Sequence, residues 1–451
     1  MKNFQTHLWK RFQEYKEIPA LLRRDDGGSP ASHSFWEWTR SIQNTAMGLL
    51  EQGFKPGARL ALIGLERDVE LEMVIATWLL GGCAVPLSSD LDRQDLLHCL
   101  ARSGCGWLAV QDDRARAHIR GPGDGLPPHI QWIIADGEPS GGEQISALSD
   151  LQDQGRKLIA RGKSKKLAKR IYGLDPKAPA LIFFEPTPLD HDQWEGAFFS
   201  ADRLALQLPA IAAQMGLHPD DDPPARVASL CDGGHGPSLL FSLATLWAGA
   251  TVALPDPQAL DDLQAFKPTF LIADTPDLEE MGRRYRRRLE KAPDILKKLA
   301  TDDGDISWLT SLGSLGERAA RKFLYDPIRK EFGPNLKGLY IHGGQCPVGL
   351  TPILAGADIT LLGFFWLPEA GLSHVEHPDA HREGSAGRPI EGLATKLDGA
   401  RDDQSAELLL RGETLFNEYW AGQGYRRRDD QGWLHTGQEA RLESGFLFLP
   451  Q

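Results

Sequence analysis

Short apolar runs alternating with amphipathic stretches, each closed by Gly or Pro, leave a chain few folds to choose from, and here that alternation sets in at Phe35. Apolar positions recur at helical spacing from Phe35 to Leu49, and Gln52-Gly53-Phe54-Lys55-Pro56-Gly57 then stops the helix. Arg59-Leu60-Ala61-Leu62-Ile63-Gly64 reads as a short buried strand. A second helix, about Val69 to Leu80, ends at Gly81-Gly82. Ala84-Val85-Pro86-Leu87 resumes extended structure before another helix near Asp92 to Ser103. Strand and helix in turn require right-handed crossovers and a mostly parallel sheet. The rhythm returns with strands expected at Ala180-Leu181-Ile182-Phe183, Arg226-Val227-Ala228-Ser229-Leu230, Ala250 to Leu254 and Thr269 to Ala273.

Beyond Arg382 the texture changes to short alternating runs broken by Gly and Asp, such as Glu407-Leu408-Leu409-Leu410-Arg411-Gly412, which predicts a small β-rich unit. The fold class read from this order is α/β. Two layered subdomains with mostly parallel sheets are expected at about 1–174 and 175–381, with a small distorted β-barrel-like subdomain at 382–451.

Charge and cysteine usage narrow the function. A formal charge of −12 argues against nucleic acid, since phosphate backbones are held by Lys and Arg. Cys83, Cys99, Cys105, Cys231 and Cys346 form no C-x-x-C pair and read as reduced, buried thiols of a cytoplasmic protein. The stretch from Met1 to Ala20 lacks the apolar core of a signal peptide, and no run of roughly 18 apolar residues occurs, which argues against export and membrane spanning. Two basic stretches stand out, 156–170 and 283–298. The plain reading is a solvated helical face or linker, and the rival is contact with an anionic membrane surface from a peripheral position.

The segments Phe35-Trp36-Glu37-Trp38 through Gly53-Phe54-Lys55-Pro56-Gly57-Ala58-Arg59-Leu60-Ala61-Leu62, and Gly81-Gly82-Cys83-Ala84-Val85-Pro86-Leu87, resemble the opening of acyl-CoA synthetases. Trp247-Ala248-Gly249-Ala250-Thr251-Val252, Phe266-Lys267-Pro268-Thr269 and Leu336-Lys337-Gly338-Leu339-Tyr340-Ile341-His342-Gly343-Gly344-Gln345-Cys346-Pro347 follow in the order of the same family. So do Gly384-Ser385-Ala386-Gly387-Arg388-Pro389 and Gly432-Trp433-Leu434-His435-Thr436-Gly437-Gln438. The chain thus resembles the N-terminal domain of the adenylate-forming, AMP-binding superfamily, and Lys322 to Asn335 is closest to its long-chain fatty acid branch. The resemblance implies that the family's smaller C-terminal domain, with its adenylating Lys, is absent after Gln451.

What the resemblance implies about chemistry can be checked position by position. Adenylation needs the phosphates held, their charge neutralised by Mg²⁺ and the acyl group fixed in line. The family cradles phosphates in a Ser/Thr/Gly loop ending in Pro-Lys-Gly, where bare amides and a cation face the anion. The matching segment here runs from Phe184 to Gly196. It has two prolines, no Lys and no Gly before Gly196, and it adds the carboxylates Glu185, Asp190, Asp192 and Glu195. Such a loop is expected to repel ATP.

Around adenine the resemblance marks Gly343, Gly344 and Gln345. In the family's Tyr-Gly-x-Thr-Glu turn it marks Phe365, Trp366 and Glu369, of which only Glu369, the Mg²⁺-site Glu, is kept. Trp366 replaces a Gly and is expected either to fill part of the nucleotide or acyl pocket or simply to pack in the core. Gln438 stands where the family has a ribose-binding Asp, and an amide gives up the charge-assisted hydrogen bond. His235 and Gly236 resemble the entrance of the acyl pocket, with a buried structural His as the bland alternative.

No metal is expected. His374, His377 and His381 have His-x-x-His spacing, but Pro378 breaks the helix that would bring them together. The sequence therefore points to a pseudoenzyme that binds a protein partner or a fatty acyl ligand without cofactor. Two alternatives stand beside it: an active fatty-acyl-activating ligase, using ATP/AMP and Mg²⁺ and completed by a separate chain, and a peripheral membrane or assembly module.

Overall fold

The computed structural model describes residues 3–450 except 26, 122–129, 138–143, 188–189, 232, 257–261, 291–324, 345, 347–349, 400–404 and 421–427. The side chains of 185–187, 190–193, 285–286, 288–290 and 352 also lie outside the described set.

Local signals place the first elements. Helix Phe35–Glu51 opens with a capping box, in which Glu37 N donates to Ser34 Oγ at 3.2 Å and Ser34 N donates to Glu37 Oε2 at 2.9 Å. It closes at Gly53, whose φ of +93° lies in the left-handed region. Strand Arg59–Ile63 and helix Arg67–Leu79 follow. That helix is buried on nearly every side, which fits its weakly polarised sequence and makes it a central rod rather than a surface element. Helices Phe35–Glu51 and Leu148–Ala160 cross so closely that a Cβ on Gly48 would sit 2.2 Å from Leu151 O, and one on Gly155 1.9 Å from Asn44 O. Beside the crossing, the buried Glu72 carboxylate accepts from Ser41 Oγ and Gln152 Nε2, each at 2.7 Å, and from Thr45 Oγ1.

Three sheets carry the architecture. The first has eight strands, from edge to edge Glu418–Trp420, Asp190–Ser200, Pro179–Thr187, Cys83–Leu87, Arg59–Ile63, Trp107–Val110, Gln131–Ile134 and Ile145–Ala147. It is parallel from Pro179–Thr187 onward and antiparallel at the other edge. The second has nine strands, in the order Arg388–Pro389, Gly371–Val375, Thr360–Leu367, Gly338–His342, Phe270–Ile272, Arg226–Ser229, Thr251–Ala253, Pro19–Arg24 and Pro30–Ser34, with a parallel centre. Leu393–Leu397, Ala406–Gly412, Leu434–Glu443 and Phe446–Phe448 form a four-stranded antiparallel sheet.

The expected α/β class with mostly parallel sheets is what the chain adopts. The linear division at 174 and 381 is cut across by strand exchange. Pro19–Arg24 and Pro30–Ser34 complete the second sheet, while Asp190–Ser200 and Glu418–Trp420 belong to the first. Among the described residues no helix is long and apolar enough to cross a membrane, and the cysteines carry free thiols, all buried except the partly buried Cys346.

Candidate functional site

Parallel strands leave side chains and loop amides converging at their carboxyl ends, and ligands of open α/β sheets bind there. Here the carboxyl ends of both large sheets face one cavity of about 700 Å³. Phe183 and Phe184 come from the first sheet, and Phe364 and Trp366 from the second. His342 ends strand Gly338–His342, and His235 precedes helix Gly236–Trp247.

Trp366 shapes this space. Its indole meets Phe183 edge-on, with ring centroids 4.8 Å apart and planes at 86°. It also covers Gly236 so tightly that a Cβ there would lie 2.6 Å from the indole. Of the two expectations for Trp366, it takes a place on the cavity wall while packing against the core cluster. Phe365 points the other way, is 1 % exposed and stacks on His342 at 5.8 Å.

The turn from Cys231 to His235 is held from behind. Glu70 and Arg67 form an ion pair at 2.5 Å with side chains 1 % and 8 % exposed. Glu70 Oε1 accepts from Gly234 N at 2.8 Å, and Arg67 Nη2 donates to the Cys231 carbonyl at 3.2 Å. Gly234 has a φ of +85°, and a Cβ on it would lie 2.5 Å from the Leu87 backbone, so the turn accepts only glycine. His235 Nδ1 accepts from Ser238 N at 3.3 Å, which leaves the proton on Nε2. Burial, helped by the Arg67 charge, pulls the His235 pKa down to about 4, so the ring is neutral at physiological pH. Desolvation lowers His342 as well, although it opens onto the cavity, and burial pushes the Cys231 thiol up to about 12, so it stays protonated.

The other expected residues do not all gather here. Glu369 is buried, and Tyr419 Oη donates to its Oε1 at 2.6 Å. Gly343 and Gly344, with φ of +70° and +69°, make the turn after His342. A Cβ on Gly344 would come within 2.0 Å of Ser385 O, so this glycine is needed for close packing against the 384–385 loop. Gly344 lines a separate cavity with Arg441 and Leu449. Gln438 turns its amide to Glu439 O at 3.0 Å, within its own strand. Gln345 lies outside the described residues, as do the side chains of Glu185, Asp190 and Asp192.

The backbone of that last segment is described on either side of 188–189, and it is a hairpin. Phe184 pairs with Gly196, Glu185 with Glu195, Pro186 with Trp194 and Thr187 with Asp190. Gly196 is buried, with Ile182 and Phe184 within 2.8 Å of where its Cβ would be.

The three histidines at 374, 377 and 381 serve different ends. His374 is fully buried between Ser373 Oγ at 3.0 Å and Thr395 Oγ1 at 3.1 Å, and burial takes its pKa down to about 3. His377 Nδ1 accepts from Asp379 N, and His381 Nδ1 contacts Pro378 O.

Sequence reasoning passed over several cavity residues: His342, which directly precedes the glycine turn, and Asp90, Asp274 and Asp277. A signal for the last pair was present, since Asp274-Thr275-Pro276-Asp277 is a helix-capping pattern. Asp277 N donates to Asp274 Oδ1 at 3.0 Å, and Asp274 N to Asp277 Oδ2 at 3.2 Å.

Comparison with known proteins agrees with this architecture. Residues 8–184 match the family described as AMP-binding enzyme. The long-chain-fatty-acid–CoA ligase ACSBG2 of Xenopus laevis is 23 % identical over 282 residues, covering 57 % of this chain and 37 % of that protein, so the chain matches well under half of this relative's length. Among solved structures, a Mycobacterium tuberculosis fatty acyl CoA synthetase superposes with a TM-score of 0.72 at 16 % identity, over 100 % of this chain and 78 % of that one. The N-terminal domain of FACL13 from the same organism gives 0.70 at 16 % identity with 100 % of both chains covered. Residues 8–184 therefore carry the AMP-binding match, and the whole chain shares the fold of acyl-CoA synthetase N-terminal domains.

Proposed function

We propose that this protein has given up ATP-dependent acyl adenylation and uses the fold as a binding module, built around the cavity between the two sheets. The hairpin from Pro179 to Ser200 is the observation that carries this reading. A phosphate cradle depends on amides that point at the anion. Here Phe184, Glu185, Pro186 and Thr187 pair across the hairpin with Gly196, Glu195, Trp194 and Asp190, Pro186 has no N–H to offer, and the segment contains carboxylates but no Lys. A triphosphate does not fit such a surface, so no step is assigned to ATP. The Trp366 indole over Gly236 supports the same reading by narrowing the space next to it. Calorimetric titration with ATP and Mg²⁺ at millimolar concentration should give no binding heat, and micromolar affinity would overturn the proposal.

A second reading, an active fatty-acyl ligase completed by a separate chain, draws on one observation. Glu369 is buried and oriented by Tyr419 rather than lost to solvent. Fatty-acid-dependent exchange between pyrophosphate and ATP, measured with neighbouring gene products added, would establish it. A peripheral membrane role draws on the first basic run. Helices Leu148–Ala160 and Lys165–Tyr172 bury Leu151, Leu158, Leu167 and Ile171 and leave Lys157, Lys165, Lys166 and Lys169 exposed. The second run is weaker: Arg283 and Arg284 pair with Glu279 and Glu280, and 291–298 lie outside the described residues. Salt-dependent cosedimentation with anionic liposomes tests it.

A further inference from the structure

We infer that the turn from Glu413 to Phe416 carries an oxyanion site, formed by Arg203, Thr414 and Arg428, that takes a phosphate dianion, free or as a monoester. None of the three residues lines the cavity between the sheets, so the inference stands apart from what that cavity binds.

Side chains grip this turn from two directions. Arg203 and Gln207 lie one turn apart on helix Ala201–Gln214 and so share a face. Arg203 Nη1 donates to Glu413 O, while Gln207 Nε2 donates to Thr414 O at 3.2 Å and to Ala370 O at 2.8 Å. Arg428 Nη2 donates to Phe416 O, with its guanidinium carbon 5.0 Å from the Phe416 ring centre. Two guanidiniums therefore hang on the two ends of one short turn. Phe416 N donates to Glu369 O at 2.8 Å, which ties the turn to the Glu369 segment.

Neither positive charge is answered by a carboxylate. Among the described residues no Asp or Glu forms an ion pair with Arg203 or Arg428. Of the acids beside them in sequence, Asp202 is taken by Ser200 Oγ, and Asp429 accepts from Gln431 N at 2.9 Å and Trp433 N at 2.8 Å. Partial desolvation, and next the Arg203 charge, hold the Arg428 pKa below the usual guanidinium value, with no carboxylate opposing them. Residues 421–427 contain Arg426 and Arg427 but no Asp or Glu, so their sequence supplies no counter-charge.

The turn also has hydrogens to give. Arg203 Nε and Thr414 Oγ1 are enclosed without an acceptor, and Thr414 is 1 % exposed. Folded interiors leave few such donors, and two beside an uncompensated guanidinium pair call for a bound acceptor. A third enclosed atom, Gln207 Oε1, is set against Gly371, where a Cβ would lie 2.4 Å away, and has no part in the site. Arg428 stands exposed at the rim, which leaves a way in. Two positive charges match a dianion, and the guanidinium fork matches the oxygens of phosphate.

The test titrates the full chain calorimetrically with inorganic phosphate at pH 8, with chloride at equal ionic strength as the control. Phosphate should bind saturably and chloride should not. Arg428→Gln, at the exposed rim, and Arg203→Gln should each weaken phosphate about tenfold or more, the worth of one charge-assisted hydrogen bond. Thr414→Val keeps the shape without the hydroxyl and should weaken it about threefold. No saturable phosphate binding, as for a turn that holds only water, would overturn the inference. So would equal binding of chloride, or unchanged phosphate affinity in Arg428→Gln, which keeps the test open if Arg203→Gln does not fold. ATP heat that persists in Arg428→Gln would sink the proposed loss of adenylation and leave this site standing.

Discussion

Two turns that border the same space have gone opposite ways. The Cys231–His235 turn keeps its glycines, holds Gly234 at positive φ and is anchored by a buried ion pair on helix Arg67–Leu79. The segment from Phe184 to Gly196 has no interior glycine, and its described backbone pairs as an antiparallel hairpin with a register shift at Pro186/Thr187. The first turn is indispensable to packing, because Gly234 lies against the Leu87 backbone and so joins the two sheets. The second lies inside the edge strand Glu418–Trp420, and its two arms pair with each other from Pro179 with Ser200 to Glu185 with Glu195. The fold therefore constrains the cavity much more tightly than it constrains the phosphate segment.

The hardest test of that contrast is removal of the anchor. Glu70→Ala takes away Arg67's ion-pair partner and the acceptor of Gly234 N inside the core, and should cost about 3 to 5 kcal/mol in urea unfolding. A loss under about 1 kcal/mol would mean that the turn stands without its clamp.

The pH dependence of the same turn comes next. The His235 pKa is depressed in the folded state, so the unfolded chain binds the extra proton first. Stability from this group is complete above its ordinary value of 6.5 and is lost as pH falls toward about 4. Between pH 7 and pH 4 the wild-type chain should lose about 3 kcal/mol more than His235→Asn, which keeps the cap without the titration. Burial raises the Glu72 carboxyl, which acts with the opposite sign, and the difference between the two proteins cancels it. An imidazole titrating near 6.5 in NMR spectra would contradict this account.

Trp366→Ala sharpens the comparison from the hairpin side. It should destabilise by about 2 kcal/mol, less than a fully buried Trp would cost, and enlarge the cavity. On the proposed reading ATP should still fail to bind, since that reading rests on the hairpin and not on the indole. ATP binding by this variant would shift the explanation from the hairpin to the indole. The smallest effect is expected from Gln438→Asp, within about 0.5 kcal/mol in stability, since its amide bonds only to its own strand. Restored nucleotide binding from this change alone would break the contrast altogether.

The sequence displayed the fold more openly than the site. Gly53 after Phe35–Glu51, and Gly81-Gly82 after Arg67–Leu79, ended helices within a residue or two of where local chemistry put them. The strand at Arg226 was read one residue too long, a boundary error that pairing geometry settles. Sheet membership was hidden, because Pro19–Arg24 and Thr251–Ala253 share no local pattern and meet only through tertiary packing. The site was half legible. His235, Gly236 and Trp366 do share a cavity, whereas Gly344 faces another and Gln438 neither. The Glu70–Arg67 clamp could not be seen in advance, since two charges at i and i+3 on a helix ordinarily mark a solvated face. Its significance comes from burial, which depends on the whole fold.

The strand exchange also bears on how the chain reaches its structure. Pro19–Arg24 is made well before one of its two sheet neighbours, Thr251–Ala253, which follows it by more than half of this sequence, and Glu418–Trp420 joins the first sheet from far downstream of its neighbour Asp190–Ser200. Contacts so distant in sequence make folding slow and leave strand edges waiting on the ribosome. A fragment cut between the two sheets would carry orphan strands on both sides, so shortened forms of this protein are expected to aggregate rather than to fold as halves.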